Sequence, residues 1–194
     1  GLGDVYKRQE WNTDPRTQDT VFSGVGDTVA TAAVLGNIPD YPHLKDQRPD
    51  LYRGFMERTW ANASPSGVIS LIHPESHFTE RKAASLRRGA YLRLRRHWQF
   101  INELSLFDVH HLVGYGIHVY GAEQVKPLFK HATSLYHPAT VLDSLAHDGS
   151  GPLPGLKDDN GNWDLRAHRD RIQTVELHAL EAVSYTHLTL PTTP

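Results

Sequence analysis

Residues 67–80 read GVISLIHPESHFTE, residues 81–98 read RKAASLRRGAYLRLRRHW, and residues 99–121 read QFINELSLFDVHHLVGYGIHVYG. Val68–Ile72 is a short apolar run rich in β-branched residues, bounded by the turn Ser64-Pro65-Ser66-Gly67 and by His73-Pro74. It follows one helical pattern and precedes another, which predicts a buried parallel strand. Glu80–Trp98 carries Ala83, Leu86, Ala90, Leu94 and Trp98 at helical spacing, with Arg81, Lys82, Arg88, Arg95 and Arg96 largely opposite. Gln99–Leu104 and Gly116–Tyr120 read as two strands of a hairpin-like pair joined through Phe107–Tyr115. This order describes an α/β unit with one cationic face.

Outward from this block the signals weaken. Asp50–Ala61 has apolar residues at 51, 52, 55, 56 and 60 behind Pro49, a helix with one buried face. Residues 10–47 are polar and turn-rich, with one short helix expected over Asp27–Leu35. Residues 125–146 read as mostly helical with a break at Pro138. Residues 147–164 read as loop, with Asn160-Gly161 suited to a two-residue turn. Leu165–Ala182 reads as a final helix, apolar at Ile172, Val175, Leu177 and Leu180.

Composition bounds the class. The chain has 194 residues, 39% of them hydrophobic, and a formal net charge of −2, so any surface for a polyanion must be local. It has no cysteine, which excludes disulfides and thiolate metal sites. No apolar run reaches membrane-spanning length and no signal-peptide pattern occurs, so a soluble, cytoplasmic protein is expected. The only methionine is Met56, and the ends GLGDVYKRQ and VSYTHLTLPTTP lack periodicity and capping logic. They resemble translated adapter sequence, so an internal piece of a longer protein is expected. The resulting division is 1–9 and 183–194 as scars, 10–48 as a polar linker, 49–122 as the core, and 123–182 as a helical and loop extension.

Several motifs bear on chemistry. The predicted basic helix holds seven Lys/Arg against one acid, Glu80, and could lie along a phosphate backbone or simply face solvent. His73-Pro74-Glu75-Ser76-His77 stands where a strand would end, the place where open α/β sheets bind ligands. Its order is not that of a zinc-protease helix, and it reads as a turn closing the strand rather than a metal site. The thirteen histidines show no ligand spacing, and no metal is expected. The glycines of Asp19–Gly26 suggest a cofactor loop, and Asn37-Ile38-Pro39-Asp40-Tyr41 suggests a degraded NPPY. Only ten residues separate Gly26 from Asn37, too few for the strands that must intervene, so both are coincidental. Asp158-Asp159-Asn160-Gly161 fails as a calcium loop, because alignment on Gly161 puts Leu156 and Ala167 at ligand positions.

Taken together, the helix DLYRGFMERTW, the strand Gly67–Pro74, the helix Ala84–His97 with Leu86-Arg87-Arg88, and the hairpin Gln99–Tyr120 resemble the later half of an adenine-specific DNA methyltransferase. The closest flavour is that of large restriction–modification and PglX-like phage-defence enzymes. The resemblance covers residues 49–121, and more weakly continues to 180. It implies the C-terminal half of a Rossmann-like, S-adenosylmethionine-dependent methyltransferase sheet ending in an antiparallel hairpin, and incomplete. It implies double-stranded DNA as partner and the exocyclic amino group of adenine as methyl acceptor, with the base flipped out of the duplex. Phe107, then Tyr115, are the aromatic residues it places beside the base, although a core aromatic under a loop is an equal reading of Phe107. Arg88, Arg95 and Arg96 of the basic helix are the residues expected to contact DNA, under this reading and under the alternative below. The cofactor loop and the catalytic NPPY are expected outside this chain, which alone should be inactive. A non-catalytic nucleic-acid-binding module using the basic helix 80–98 is the alternative.

Overall fold

The computed structural model describes residues 14–45, 47 and 50–188, with the backbone alone considered over 183–188. Segment 1–9, residues 189–194 and the expected helix-starting Pro49 lie outside the described residues. The architecture is α/β, built on an open five-stranded mixed sheet.

Helix α1 spans Pro15–Leu35, far longer than the expected Asp27–Leu35. Asp14 caps it, its carboxylate accepting from the Arg16 amide at 3.3 Å and the Thr17 hydroxyl at 2.9 Å. Pro15 sits at the first turn, where its missing N–H costs nothing. Gly24 and Gly26 therefore lie inside a helix, which disposes of the cofactor-loop geometry. Helix α2 covers Leu51–Asn62, close to the sequence expectation, and is capped by Asp50. Strand β1 is Ile69–Pro74, followed by the single turn α3, Ser76–Thr79. A 3₁₀ turn over Arg81–Ala83 leads into α4, Ala84–Arg93, and then strand β2, Leu94–Ile101. Strand β3 is Gly114–Tyr120 and β4 is Leu128–Leu135. Helix α5 is Pro138–Ala146, β5 is Gln173–Glu176 and α6 is Leu177–Leu188.

The predicted helix Glu80–Trp98 is thus corrected: it stops at Arg93 and its last turn is strand. From Trp98 onward the chain is rich in residues that favour strands, and β2 gains hydrogen-bonded neighbours on both sides, β3 antiparallel and β4 parallel. Two ladders outweigh a helical period that only continues the preceding turns. Residues 128–135, read as helical, form a strand for the same reason, pairing with β2 and β5. The final helix shrinks to its C-terminal part, because Gln173–Glu176 completes the sheet edge against β4. In place of the expected two-residue Asn160-Gly161 turn, the loop takes in residues 159–161, with the Gly161 amide donating to the Asp158 carbonyl at 3.0 Å and the Asp158 amide to the Asn162 carbonyl at 2.8 Å. It closes the Lys157–Trp163 bridge, with Gly161 at φ 79°, a left-handed conformation that glycine adopts without strain.

Strand order is β1-β3-β2-β4-β5. β3 pairs antiparallel with both β1 and β2, so β1 and β2 run in the same direction with β3 reversed between them. The expectation that β1 is a buried parallel strand is corrected on both counts. Its bonded neighbour is antiparallel, and it lies at the sheet edge with Ile72 57% exposed. Alternation along each strand gives the sheet two faces. One packs Tyr120, Phe129 and Leu94 against Met56 of α2 and Leu86 and Ala90 of α4. The other packs Trp98, Phe100, Tyr115 and Leu135 against Val141 of α5.

Candidate functional site

The carboxyl ends of β1 and β2 meet the start of β3. Tyr115 pairs with Pro74 on one side and Phe100 on the other. Phe107, in the β2–β3 connection, sets its ring edge against Tyr115 at 4.9 Å and 87°. The two aromatics singled out in the sequence are therefore in contact. They differ in exposure: Tyr115 is buried and stacks on Phe100 at 5.5 Å, whereas Phe107 is 43% exposed. The connection is held from beneath by Asn102, which is fully buried. Its amide nitrogen donates to the carbonyls of Phe107 and Val109, each at 2.9 Å, and its oxygen accepts from the Phe107 amide at 3.0 Å.

The three arginines do not form one stripe. Arg88 is exposed on α4, while Arg95 and Arg96 belong to β2. Arg95 donates to the carbonyls of Arg93 and Leu94, at 2.9 and 3.2 Å, and to that of Ala122 at 2.6 Å. It secures the helix-to-strand junction and has little left for a phosphate. Arg87 donates to the carbonyls of His77, Phe78 and Glu80, and Arg93 to the Glu123 carboxylate. The cationic helix 80–98 is consequently corrected to a ten-residue helix whose inner arginines serve the fold.

A second group was not visible in the sequence. His73, Tyr120, His118, Gly116, His97, Gln99 and His131 occupy register positions on one sheet face, by the pairing of β1, β3, β2 and β4. Glu75 and His77 reach the same region from the end of β1. His73 stacks on His118 at 3.8 Å, and His97 stacks on His118 at 4.6 Å. The Glu75 carboxylate accepts from His97 Nε2 through one oxygen and from Gln99 Nε2 at 2.7 Å through the other. Burial depresses the basicity of four of these histidines: His77 falls to about 2 and His131 to about 4, while His73 and His118 are also lowered. These rings are neutral at physiological pH. Both ring nitrogens of His77 and of His118 lack a hydrogen-bond partner, although both residues are fully buried.

Pro74, Glu75, Arg87, His97, Gln99 and His131 line a cleft of about 990 Å³ that opens beside this group. The signal that could have found it is strand alternation. His97 and Gln99 share a face with His118 and Gly116 only once β2 is read as a strand.

Compared with known proteins, the chain matches no family model and none of the curated proteins. No helix of the described residues is long and apolar enough to cross a membrane.

Proposed function

We propose that this chain supplies the base-facing end of the sheet in an S-adenosylmethionine-dependent DNA methyltransferase that acts on the exocyclic amino group of adenine, in a restriction–modification or phage-defence setting. One observation carries the reading. β1 and β2 run in the same direction, joined through α4, with β3 reversed between them and the Phe107–Tyr115 pair at the carboxyl ends of both. This supports the strand, helix and reversed hairpin that the sequence resemblance implies, and with them a Rossmann-like sheet. It also favours the ligand position common to open α/β sheets.

In this reading Phe107 offers its exposed surface to a flipped base. Tyr115 fixes the ring from the side, and Asn102 fixes the backbone on which it stands. Stacking on an aromatic is worth ~1–3 kcal/mol per base. The chain has no credible NPPY and no credible cofactor loop, so methyl transfer is completed by residues other than these. The disruption of the cationic helix removes the main support for a purely basic binding module.

The test uses protein expressed from the complete reading frame. Incubated with duplex DNA and labelled S-adenosylmethionine, it is expected to produce N6-methyladenine, identified in nucleoside digests. Phe107→Ala should slow the transfer about tenfold or more, in line with the stacking energy, while Phe107→Trp retains it. Digests without N6-methyladenine overturn the proposal.

A further inference from the structure

We propose that Glu75, His97 and His118 form a binding site for a divalent transition metal of the zinc class, bracing β1, β3 and β2. The site stands apart from the methyl-transfer reading.

The three side chains each bring a ligand atom to one place, all within 4.8 Å of one another. His118 Nε2 lies 3.8 Å from Glu75 Oε1, too far for a hydrogen bond and close to the span across an ion. With zinc–ligand distances of about 2.0–2.2 Å, neighbouring ligands of a tetrahedral ion stand roughly 3.3 Å apart. His97 Nε2 already meets the same carboxylate oxygen. His97 and His118 stack with their planes 19° apart and centroids 4.6 Å apart, so both rings must turn out of the stack to aim their nitrogens at a common ion.

Two further features point to an occupant. His118 is fully buried with both ring nitrogens unpartnered, an arrangement that costs ~1–3 kcal/mol per unsatisfied group unless a partner fills it. A metal is a partner for one of them. Gly116 faces the same point from the centre of β3. A methyl group there would stand 2.6 Å from Glu75 Oε1 and 2.7 Å from His118 Nε2. The absent side chain is what leaves the carboxylate and the imidazole room to meet.

The ligand set defines the chemistry. Two imidazoles and one carboxylate suit zinc and its borderline neighbours rather than calcium or magnesium, which take oxygen ligands. Gln99 holds the other carboxylate oxygen at 2.7 Å, the kind of outer contact that orients metal ligands. Glu75 and His97 also line the cleft, so the site borders it on one side.

The full chain, stripped with a strong chelator and shown by circular dichroism to remain folded, is titrated with Co²⁺ and with Zn²⁺. About one ion per chain is expected, with the visible absorption of tetrahedral cobalt and a higher melting temperature in zinc. His118→Gln and Gly116→Ala should abolish the cobalt spectrum. Gln99→Leu should weaken affinity about 10–100-fold, and His110→Ala, far from the site, should leave it unchanged. If those variants fail to fold, X-ray absorption of the zinc-loaded wild type decides. Two imidazoles and a carboxylate support the site, and fewer than two imidazoles overturn it. Folded wild-type protein that takes up neither ion also overturns it.

Discussion

At the scale of single residues, Asn102 is the clearest link between packing and the proposed base site. It is wholly buried, and its amide makes three hydrogen bonds to the backbone at Phe107 and Val109. Alanine at this position leaves two carbonyls and one N–H without their partner. Part of that loss is repaired by water, because Phe107 and Val109 are exposed. Asn102→Ala is therefore expected to cost ~1–3 kcal/mol in a urea titration. Under the proposed function it should also reduce methyl transfer more than the stability loss explains, because the loop no longer fixes the Phe107 ring. Equal activity per folded molecule would remove Asn102 from any role in positioning. Phe107 itself was legible in the sequence as an aromatic in a strand connection. Asn102 was not, because a lone asparagine near a turn reads as solvated until its burial is known.

At the scale of elements, what was legible follows from how local the deciding forces are. α2 announced itself through an apolar period contained within a few residues, although Asp50, read as its first turn, is its cap. The limits of α4 and the nature of β4 depend on ladders formed with distant strands. His97 pairs with His118 on one side and His131 on the other, and none of these partners is near in sequence. Once β2 was taken for helix, the polar face formed by His97, Gln99 and His118 could not be assembled. The same non-locality governs the long segment 147–172. It is docked on α5 by the Thr140 hydroxyl, which donates to the Leu165 carbonyl at 3.0 Å, and by the Ser144 hydroxyl oxygen, which accepts from the His168 amide at 3.1 Å.

Asp164 organises the same segment. Its carboxylate accepts two side-chain N–H groups and the backbone amide of Arg166. Those bonds, with the Arg166 and Arg171 charges, hold it at about 2, below the ordinary 3.8. The unfolded chain therefore takes up a proton as pH falls below about 4, while the folded carboxylate resists it. The stability Asp164 contributes is full above that range and is lost as pH falls toward about 2. Asp164→Asn is expected to be less stable than wild type at neutral pH, with the gap closing through this window. A gap that stays constant down to the lowest pH would sink the assignment.

For the whole molecule, the sheet is open at both edges, and the β1 edge is the more hazardous. No described strand pairs with its outer side. Val68 is 71% and Ile72 57% exposed along it, and Leu51 and Phe55 of the adjoining α2 are exposed as well. An unpaired edge bordered by apolar side chains is a template for another strand. Helix α1 adds a second apolar surface, since Val21, Phe22, Val25 and Val29 are all exposed and only Leu35 is buried. The 194-residue chain is therefore expected to self-associate as its concentration rises, seen in sedimentation velocity as growth of species heavier than the monomer. The two surfaces predict different rescues. If strand pairing dominates, Ile72→Lys places a charge on the edge and restores the monomer, while Phe22→Glu with Val29→Glu has little effect. If the helix stripe dominates, the outcome reverses. A wild-type chain that stays monomeric at every concentration and melts in one sharp transition would show that neither surface is adhesive, and that the sheet is stable with the β1 edge open.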